Sequence, residues 1–525
     1  MNVTQQIRSE HPTTQVRPPG LRVVRDLLSG LHGAELAYCH WKSNEHLGAA
    51  VEGLTDLDVL VDRGRDSDLQ RILAESGFKR FAAPPLRAYP AVEDYLGFDH
   101  DSGRLVHLHL HYQLTLGQRH LKGYRLPWES RLLATRVFDQ GYGIYVADPA
   151  IELVLLLVRA ALKLRARDRL RIRSNGKRQR DTVDLGREFA WLRAKVDDAA
   201  VRETARSLLG PAADEPLRRL LADPMAPSAL TAFEAVVRPA LRRHRTYGRL
   251  EAPLRAWLRE LHWLTDAVNR RYLHRPLPLR RVSPRGGTVI VLLGSDGAGK
   301  SSLAQTLVAW LGVKLDALPI YFGSGDGPSA FYRLPLRLAH RLLRPVLSRG
   351  RTPQPFHEED RAGPLAPAPA SVAGILRAAA RVPWALALSY EKRGKLRRMI
   401  RARNRGMMVI CDRFPQADVA GFNDGPLLGH WREHSWRFCR ALAAWEGRPY
   451  AAAALDPPDL VIKLMVSPEV ALVRRRDMSL EGVVRRVRAV RSLQFPATTR
   501  VVELSGDLPL DEVALVAKRL VWDEI

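Results

Sequence analysis

The stretch Val291–Ser302, VLLGSDGAGKSS, carries the spacing Gly294-x4-Gly299-Lys300-Ser301. Small residues there let successive backbone N–H groups turn toward phosphate oxygens, and the N-terminus of a following helix adds partial positive charge. In this pattern Lys300 reaches the β- and γ-phosphates of a nucleoside triphosphate, and Ser301 ligates Mg²⁺. The expected ATP-binding residues are Gly294, Ser295, Asp296, Gly297, Ala298, Gly299, Lys300, Ser301 and Ser302. An apolar strand, Thr288–Leu293, precedes the loop, and Leu303, Leu307, Trp310 and Leu311 follow at helical spacing. A buried strand in GMMVICDRFPQAD (406–418) then ends in Asp412-Arg413. An acid at a strand's C-terminal end beside a phosphate loop can hold the metal's water shell, and the adjacent arginine can hold a second phosphate.

A second constellation lies in CHWKSNEHLGAAVEGLTDLDVLVDR (39–63). Asp56 and Asp58 alternate on a strand, so both carboxylates project from one face and could share Mg²⁺. The plainer alternative is a pair of exposed polar positions on an edge strand. Further on, RLVHLHLHYQL (104–114) places His107, His109 and His111 on one strand face. That spacing suits a transition metal, whereas Mg²⁺ prefers oxygen ligands.

Elements must position these residues. With 525 residues, two or three domains are expected, each able to bury a core. The 46% apolar and 26% charged fractions are those of an ordinary water-soluble chain. Residues 1–148 alternate helical and strand patterns, with helices at Gly20–Leu31 and Asp66–Gly77 and strands at Leu36–Trp41, Leu57–Val61 and Leu105–Leu114. Residues 149–276 read as helical and basic, with Pro or Gly breaks near 210, 223 and 253. The run HRPLPLRRVSPRGG (274–287) contains a linker at 277–287, and residues 288–525 form an α/β domain. Within it, Pro353–Pro369 is Pro/Ala-rich and reads as a loop.

The charge of +26 attracts nucleic acid, anionic lipid and phosphorylated small molecules alike. Its densest run, Lys163–Arg180, has nine basic residues and one acid but no aromatic for base stacking. A solvated helix end and loop is the favoured reading, a groove for phosphates or acidic lipid the alternative. Nucleic acid is not an expected partner. Three scattered cysteines, Cys39, Cys411 and Cys439, fit a reducing compartment. The apolar run Ala150–Val158 is interrupted by Glu152 and too short to span a bilayer. The polar start, MNVTQQIRSEHPTTQ, has no signal-peptide core. A cytoplasmic protein with no integral membrane segment is expected, and a homodimer is left open.

Residues 287–525 resemble thymidylate kinase and its nucleoside-monophosphate kinase relatives, through four motifs in the family's order. The acid inside the phosphate loop is Asp296, and Asp-Arg-aromatic is Asp412-Arg413-Phe414. Arg393 in SYEKRGKLRRMI falls where the family has an acceptor-contacting arginine, and DPPDLVIKLMVSPEVALVRRR (456–476) looks like the strand leading into its lid. The resemblance implies that Asp296, Arg393 and Arg413 bind the acceptor. The loop position where one class of these kinases has an arginine is Gly297 here, so Arg474 and Arg476 of the lid become candidates for the transition-state cation. The departures concern the base pocket. Ser389 replaces the stacking aromatic, with Tyr390 one step away. Ala417 and Ala420-Gly421-Phe422 replace the usual Ser and Ala-Tyr-Gln, and YFGSGDGPSAF (321–331) differs as well.

Residues 39–63 resemble the nucleotidyltransferase superfamily, in which a Ser-containing turn holds nucleotide phosphates. Here that turn is at Ser43, thirteen residues before Asp56. The resemblance implies metal ligation by Asp56 and Asp58, with His109 standing where a third carboxylate is usual. The expected fold is thus an α+β nucleotidyltransferase-like domain, a helical segment, and a parallel-sheet kinase domain. The expected activity is ATP- and Mg²⁺-dependent phosphorylation of a nucleoside monophosphate or related small phosphorylated acceptor. A sugar-phosphate kinase joined to a nucleotidyltransferase in cell-surface polymer synthesis, and an ATP-binding regulatory module, are the competing expectations.

Overall fold

The computed structural model describes residues 19–118, 121–164, 181–224, 226–248, 250–323, 372–419, 425–474 and 479–525. Several sequence features lie outside these residues: the basic run from 165 on, the loop at 353–369, residues 420–422, residues 324–331 and Arg476. The chain divides into two compact units, Met1–Arg80 with Tyr89–Trp257, and Phe81–Ala88 with Leu258–Ile525.

In the first unit the strands are β1 (Tyr38–His40), β2 (Leu57–Val61), β3 (Lys79–Phe81), β4 (Val92–Phe98), β5 (Leu105–His111), β6 (Leu114–Leu116), β7 (Tyr124–Leu126), β8 (Val137–Asp139) and β9 (Ile144–Val146). Seven of them make a mixed sheet in the order β3-β4-β5-β2-β1-β9-β8, while β6 and β7 pair separately. The central β2 and β5 run parallel, and β4 joins β5 antiparallel. Helices Arg22–Gly33 and Asp66–Glu75 supply Val24, Leu27, Leu28, Leu31, Leu69, Ile72 and Leu73 to the core against one face.

The helix Pro149–Lys163 starts where Asp148 accepts hydrogen bonds from the N–H groups of Ala150 and Ile151 and Pro149 presets the first turn. Its buried side chains form one core with Trp41 and Leu60 of the sheet and with helices Asp198–Leu209, Asp214–Ala222 and Pro227–Ala240. Fully burying each such leucine or valine is worth about 1.5–3 kcal/mol before entropy costs. The breaks read near 210 and 223 coincide with helix ends at Leu209 and Ala222. Pro253 instead sits in the first turn of the helix Glu251–Val268, where its missing N–H costs nothing.

The second unit holds β10 (Val289–Gly294), β11 (Ala317–Tyr321), β12 (Met408–Asp412), β13 (Leu460–Met465) and β14 (Arg500–Ser505). They form a fully parallel sheet in the order β11-β12-β10-β13-β14. Strands β10 and β12 are buried along their whole length, which explains their continuous rather than alternating hydrophobicity. Leaving β10, the chain goes to β11 on one side and later to β13 on the other. In such sheets ligands bind at the C-terminal strand ends, where the order reverses. The architecture is α/β with a P-loop-like parallel sheet. No helix among the described residues is long and apolar enough to cross a membrane.

Candidate functional site

The turn after β10 is forced by sterics. A Cβ on Gly294 would sit 2.7 Å from the Leu464 carbonyl oxygen of β13, and Gly299, at φ +87°, takes the left-handed conformation that opens the helix Lys300–Gly312. Ala298 is buried beneath the loop and its N–H returns to the Ser295 carbonyl at 3.2 Å. Lys300, nearly buried, donates to that same carbonyl at 2.7 Å, with its Nζ 3.9 Å from Asp296 Oδ1. Ser302 is exposed in the helix's first turn. The loop is therefore closed by its own lysine, which lies along the path that phosphates take in loops of this pattern.

The parallel register sets Leu292 opposite Asp412, so the C-terminal acid of β12 meets the first turn of the helix. Ser301 Oγ donates to Asp412 Oδ2 at 2.5 Å. Asp412 Oδ1 and Ser295 Oγ are buried and make no hydrogen bond among the described residues. Orphaned buried oxygens in a native fold call for a partner. An all-oxygen pair such as Ser301 and Asp412 fits Mg²⁺, which keeps several waters and takes one or two protein ligands.

Arg413 follows at φ +70°, a region costly for a non-glycine residue and found mostly where geometry is functional. That turn brings its Nη2 to Asp296 Oδ1 at 2.6 Å. The other carboxylate oxygen receives Arg486 Nη1 at 2.9 Å from the helix Leu480–Ser492. Three cations, Lys300, Arg413 and Arg486, thus converge on one carboxylate. Arginines placed in this way can bind a phosphoryl group through paired N–H donors. Arg474 donates to the carbonyls of Gly297 at 3.3 Å and Gly506 at 2.8 Å, so it lies on the loop's backbone.

Arg393 stands apart. It is exposed on the helix Val372–Asn404, while its neighbour Lys392 is buried and donates to Tyr450 Oη at 3.3 Å. Ser389 is buried and bonded to the Glu446 carbonyl at 3.0 Å, and Tyr390 is exposed. Phe414 packs edge-on against Phe322. Arg486 was missed by sequence reasoning. Its signal is a charge at a buried-face position, three residues after Val483 and four before Val490.

In the first unit, Ser43 takes a left-handed conformation at φ +59° and its Oγ accepts from Arg159 at 3.3 Å. The turn is pinned by Glu152, whose carboxylate accepts from the Asn44 backbone N–H at 2.9 Å and from Nδ2 at 2.7 Å. Burial pushes the Glu152 carboxyl up to about 7, although both Asn44 bonds oppose the shift. Asp58 lies opposite His109 in the β2–β5 register, and the structure brings Asp56, Asp58 and His109 together. His109 Nδ1 is 3.3 Å from Asp58 Oδ1 and 3.8 Å from Asp56 Oδ2. Lys42 Nζ, also missed in the sequence, is 2.8 Å from Asp58 Oδ1. Burial raises the Asp58 carboxyl, but Lys42, His109 and His111 outweigh it and hold it well below the usual range.

No family model matches the chain. It is similar to the Escherichia coli K12 protein named "Uncharacterized ATP-binding protein YghR", at 28% identity over 236 residues, which is 44% of this chain and 86% of the relative. It is also similar to "Uncharacterized ATP-binding protein YghS" of the same strain, at 27% identity over 236 residues, covering 92% of that relative. These relatives carry ATP binding in their names, and the chain's match takes in most of their length.

Proposed function

We propose that the second unit is an ATP-dependent phosphotransferase of the thymidylate kinase-like type, acting on a nucleoside monophosphate or a related small phosphorylated acceptor. The carrying observation is the clasp of Arg413 and Arg486 on Asp296, set inside a phosphate loop whose Lys300 lies 3.9 Å away. The relatives named as ATP-binding proteins support the nucleotide assignment. Gly294 to Ser302 bind the triphosphate of ATP, with Lys300 on the β- and γ-phosphates. Ser301 and Asp412 would hold Mg²⁺, which would supply neutralisation of phosphate charge when bound. Asp296 orients the acceptor, and Arg413 and Arg486 hold its phosphate and the charge developing on transfer. Arg474 and Arg476 are the candidates for the arginine that neutralises charge on the transferring phosphoryl group. Catalysis is then positioning plus electrostatic stabilisation, with little covalent work for the protein.

The acceptor differs from thymidylate in this reading, because Ser389 is turned into the protein and leaves no aromatic at the stacking position. Ser43, Asp56 and Asp58 are the residues through which the first unit resembles a nucleotidyltransferase. All three cysteines are free, in keeping with a cytoplasmic setting. The test uses the purified full chain with γ-labelled ATP and a panel of nucleoside monophosphates and sugar phosphates. Label should pass to one acceptor class, and Lys300→Ala should abolish the transfer. ATP binding with no acceptor labelled would replace this reading with that of a regulatory module.

A further inference from the structure

Asp94, which belongs to no motif, lies opposite His109 in the antiparallel pair β4–β5, while Asp58 faces the same histidine from the parallel neighbour β2. His107, two residues back along β5, shares that face. Asp94 Oδ1 is 2.9 Å from His107 Nε2 and 3.2 Å from His109 Nε2. A carboxylate oxygen only accepts hydrogen bonds, so with a cation at Nδ1 Asp94 would hold the proton of each neutral ring on Nε2. The Nδ1 atoms face Asp56 and Asp58: His107 Nδ1 is 2.8 Å from Asp56 Oδ1, and His109 Nδ1 is 3.8 Å from Asp56 Oδ2 and 3.3 Å from Asp58 Oδ1. One ligand atom from each of Asp56, His107 and His109 falls within 4.8 Å of the others.

We propose that Asp56, His107 and His109 bind a divalent transition cation of the zinc type, with Asp94 orienting both imidazoles from behind. Two imidazole nitrogens and one carboxylate are a set for Zn²⁺, Co²⁺ or Fe²⁺, not for Mg²⁺. The second carboxylate on the far ring nitrogens is the arrangement that fixes tautomer and ring direction in metal-binding histidines. The Mg²⁺ pair implied by the nucleotidyltransferase resemblance does not fit here. Asp58, its second ligand, already has the Lys42 ammonium at 2.8 Å together with His109 and His111. The same ammonium disfavours the alternative set Asp58, His109 and His111. Exposure also distinguishes the ligands: His107 is almost fully buried, while the side chains of His109 and Asp56 are 21% and 37% exposed. The cation is therefore held from inside and open on one side, as in three-ligand catalytic sites that keep a position for water or substrate. This site stands independently of the proposed kinase.

The experiment is a titration of the chelator-stripped full chain, without nucleotide, with Co²⁺ followed by visible absorption and with Zn²⁺ by calorimetry. One equivalent should bind, Zn²⁺ should displace Co²⁺, and millimolar Mg²⁺ should displace neither. Asp56→Asn and His109→Gln, at partly exposed positions, should each weaken binding by at least about tenfold, and Asp94→Ala by about 10–100-fold. Ser301→Ala should leave the signal intact. Circular dichroism of each variant separates lost ligands from lost fold, so the buried His107 need not be mutated. The proposal is overturned if the wild type binds neither ion, if the folded Asp56 and His109 variants bind as tightly as wild type, if Mg²⁺ competes at equal concentration, or if Ser301→Ala removes the signal.

Discussion

Arg486 Nη1 donates to Asp296 Oδ2 at 2.9 Å across 190 positions of sequence, and the arginine side chain is only 4% exposed. Removing one partner of a buried pair typically costs about 3–5 kcal/mol. Asp296→Ala should therefore lower the melting temperature more than the double variant Asp296→Ala/Arg486→Met, which removes both charges. Thermal melts of the three chains decide it: a double variant less stable than Asp296→Ala would mean that the pair is not the stabilising unit. The double variant, which removes the Arg486 donor to the transition-state charge, should also lose phosphoryl transfer by about 10²-fold or more.

Asp412 separates binding from turnover. Its Oδ2 takes the Ser301 hydroxyl and its Oδ1 is buried without a hydrogen bond among the described residues. Asp412→Asn keeps the size and the Ser301 contact but removes the charge that a divalent ion needs. Binding of ATP, held mainly by loop backbone and Lys300, should change by less than about tenfold, while turnover falls by about 10²-fold or more. Equilibrium binding of a fluorescent ATP analogue beside a single-turnover assay would show the split. Equal loss in both would assign Asp412 to folding of the loop.

Much of this was legible in the residues, for physical reasons. The expected strand Leu57–Val61 matches β2, and Thr288–Leu293 lies within one residue of β10, because short stretches rich in β-branched apolar residues favour buried strands. The loop chemistry is local and so reads directly. Arg486 does not, since in a chain with 82 lysines and arginines one more arginine looks solvated, and only the helix phase against Val483 and Val490 shows its burial. Asp94 is hidden for another reason: its role exists only through the register that sets it opposite His109. Glu152 looked like an interruption in an apolar run, and its partner Asn44 is 108 positions away.

The two ends of the phosphate loop should respond differently to the same substitution. Gly299 needs its left-handed φ, but a Cβ there meets nothing within 4 Å, so Gly299→Ala should cost about 1–2 kcal/mol of backbone strain alone. Gly294→Ala would press a methyl against the Leu464 carbonyl of a neighbouring central strand, 2.7 Å away, where neither backbone can yield. Overpacking of that kind typically costs about 1–3 kcal/mol and sometimes more. Urea unfolding should rank Gly294→Ala below Gly299→Ala; the reverse order would refute the close approach.

Glu152 gives the first unit a pH dependence with a definite sign. Burial raises its carboxyl from 4.5 to about 7 in the folded chain. Between those values the folded state holds a proton that the unfolded state has released, so folding stability falls as pH rises through that window. The full gap corresponds to about 3 kcal/mol, with one tenfold change in proton affinity worth about 1.4 kcal/mol. Glu152→Gln removes the titration but presents an amide donor to the Asn44 N–H groups, so it should be less stable than wild type at pH 5. Its deficit should narrow toward pH 8, as wild type bears the growing cost of a buried charge. Denaturant unfolding of both chains at pH 5 and pH 8 measures this difference directly. A deficit that widens with pH would show that the charged carboxylate, held by the two Asn44 bonds, is the stable form.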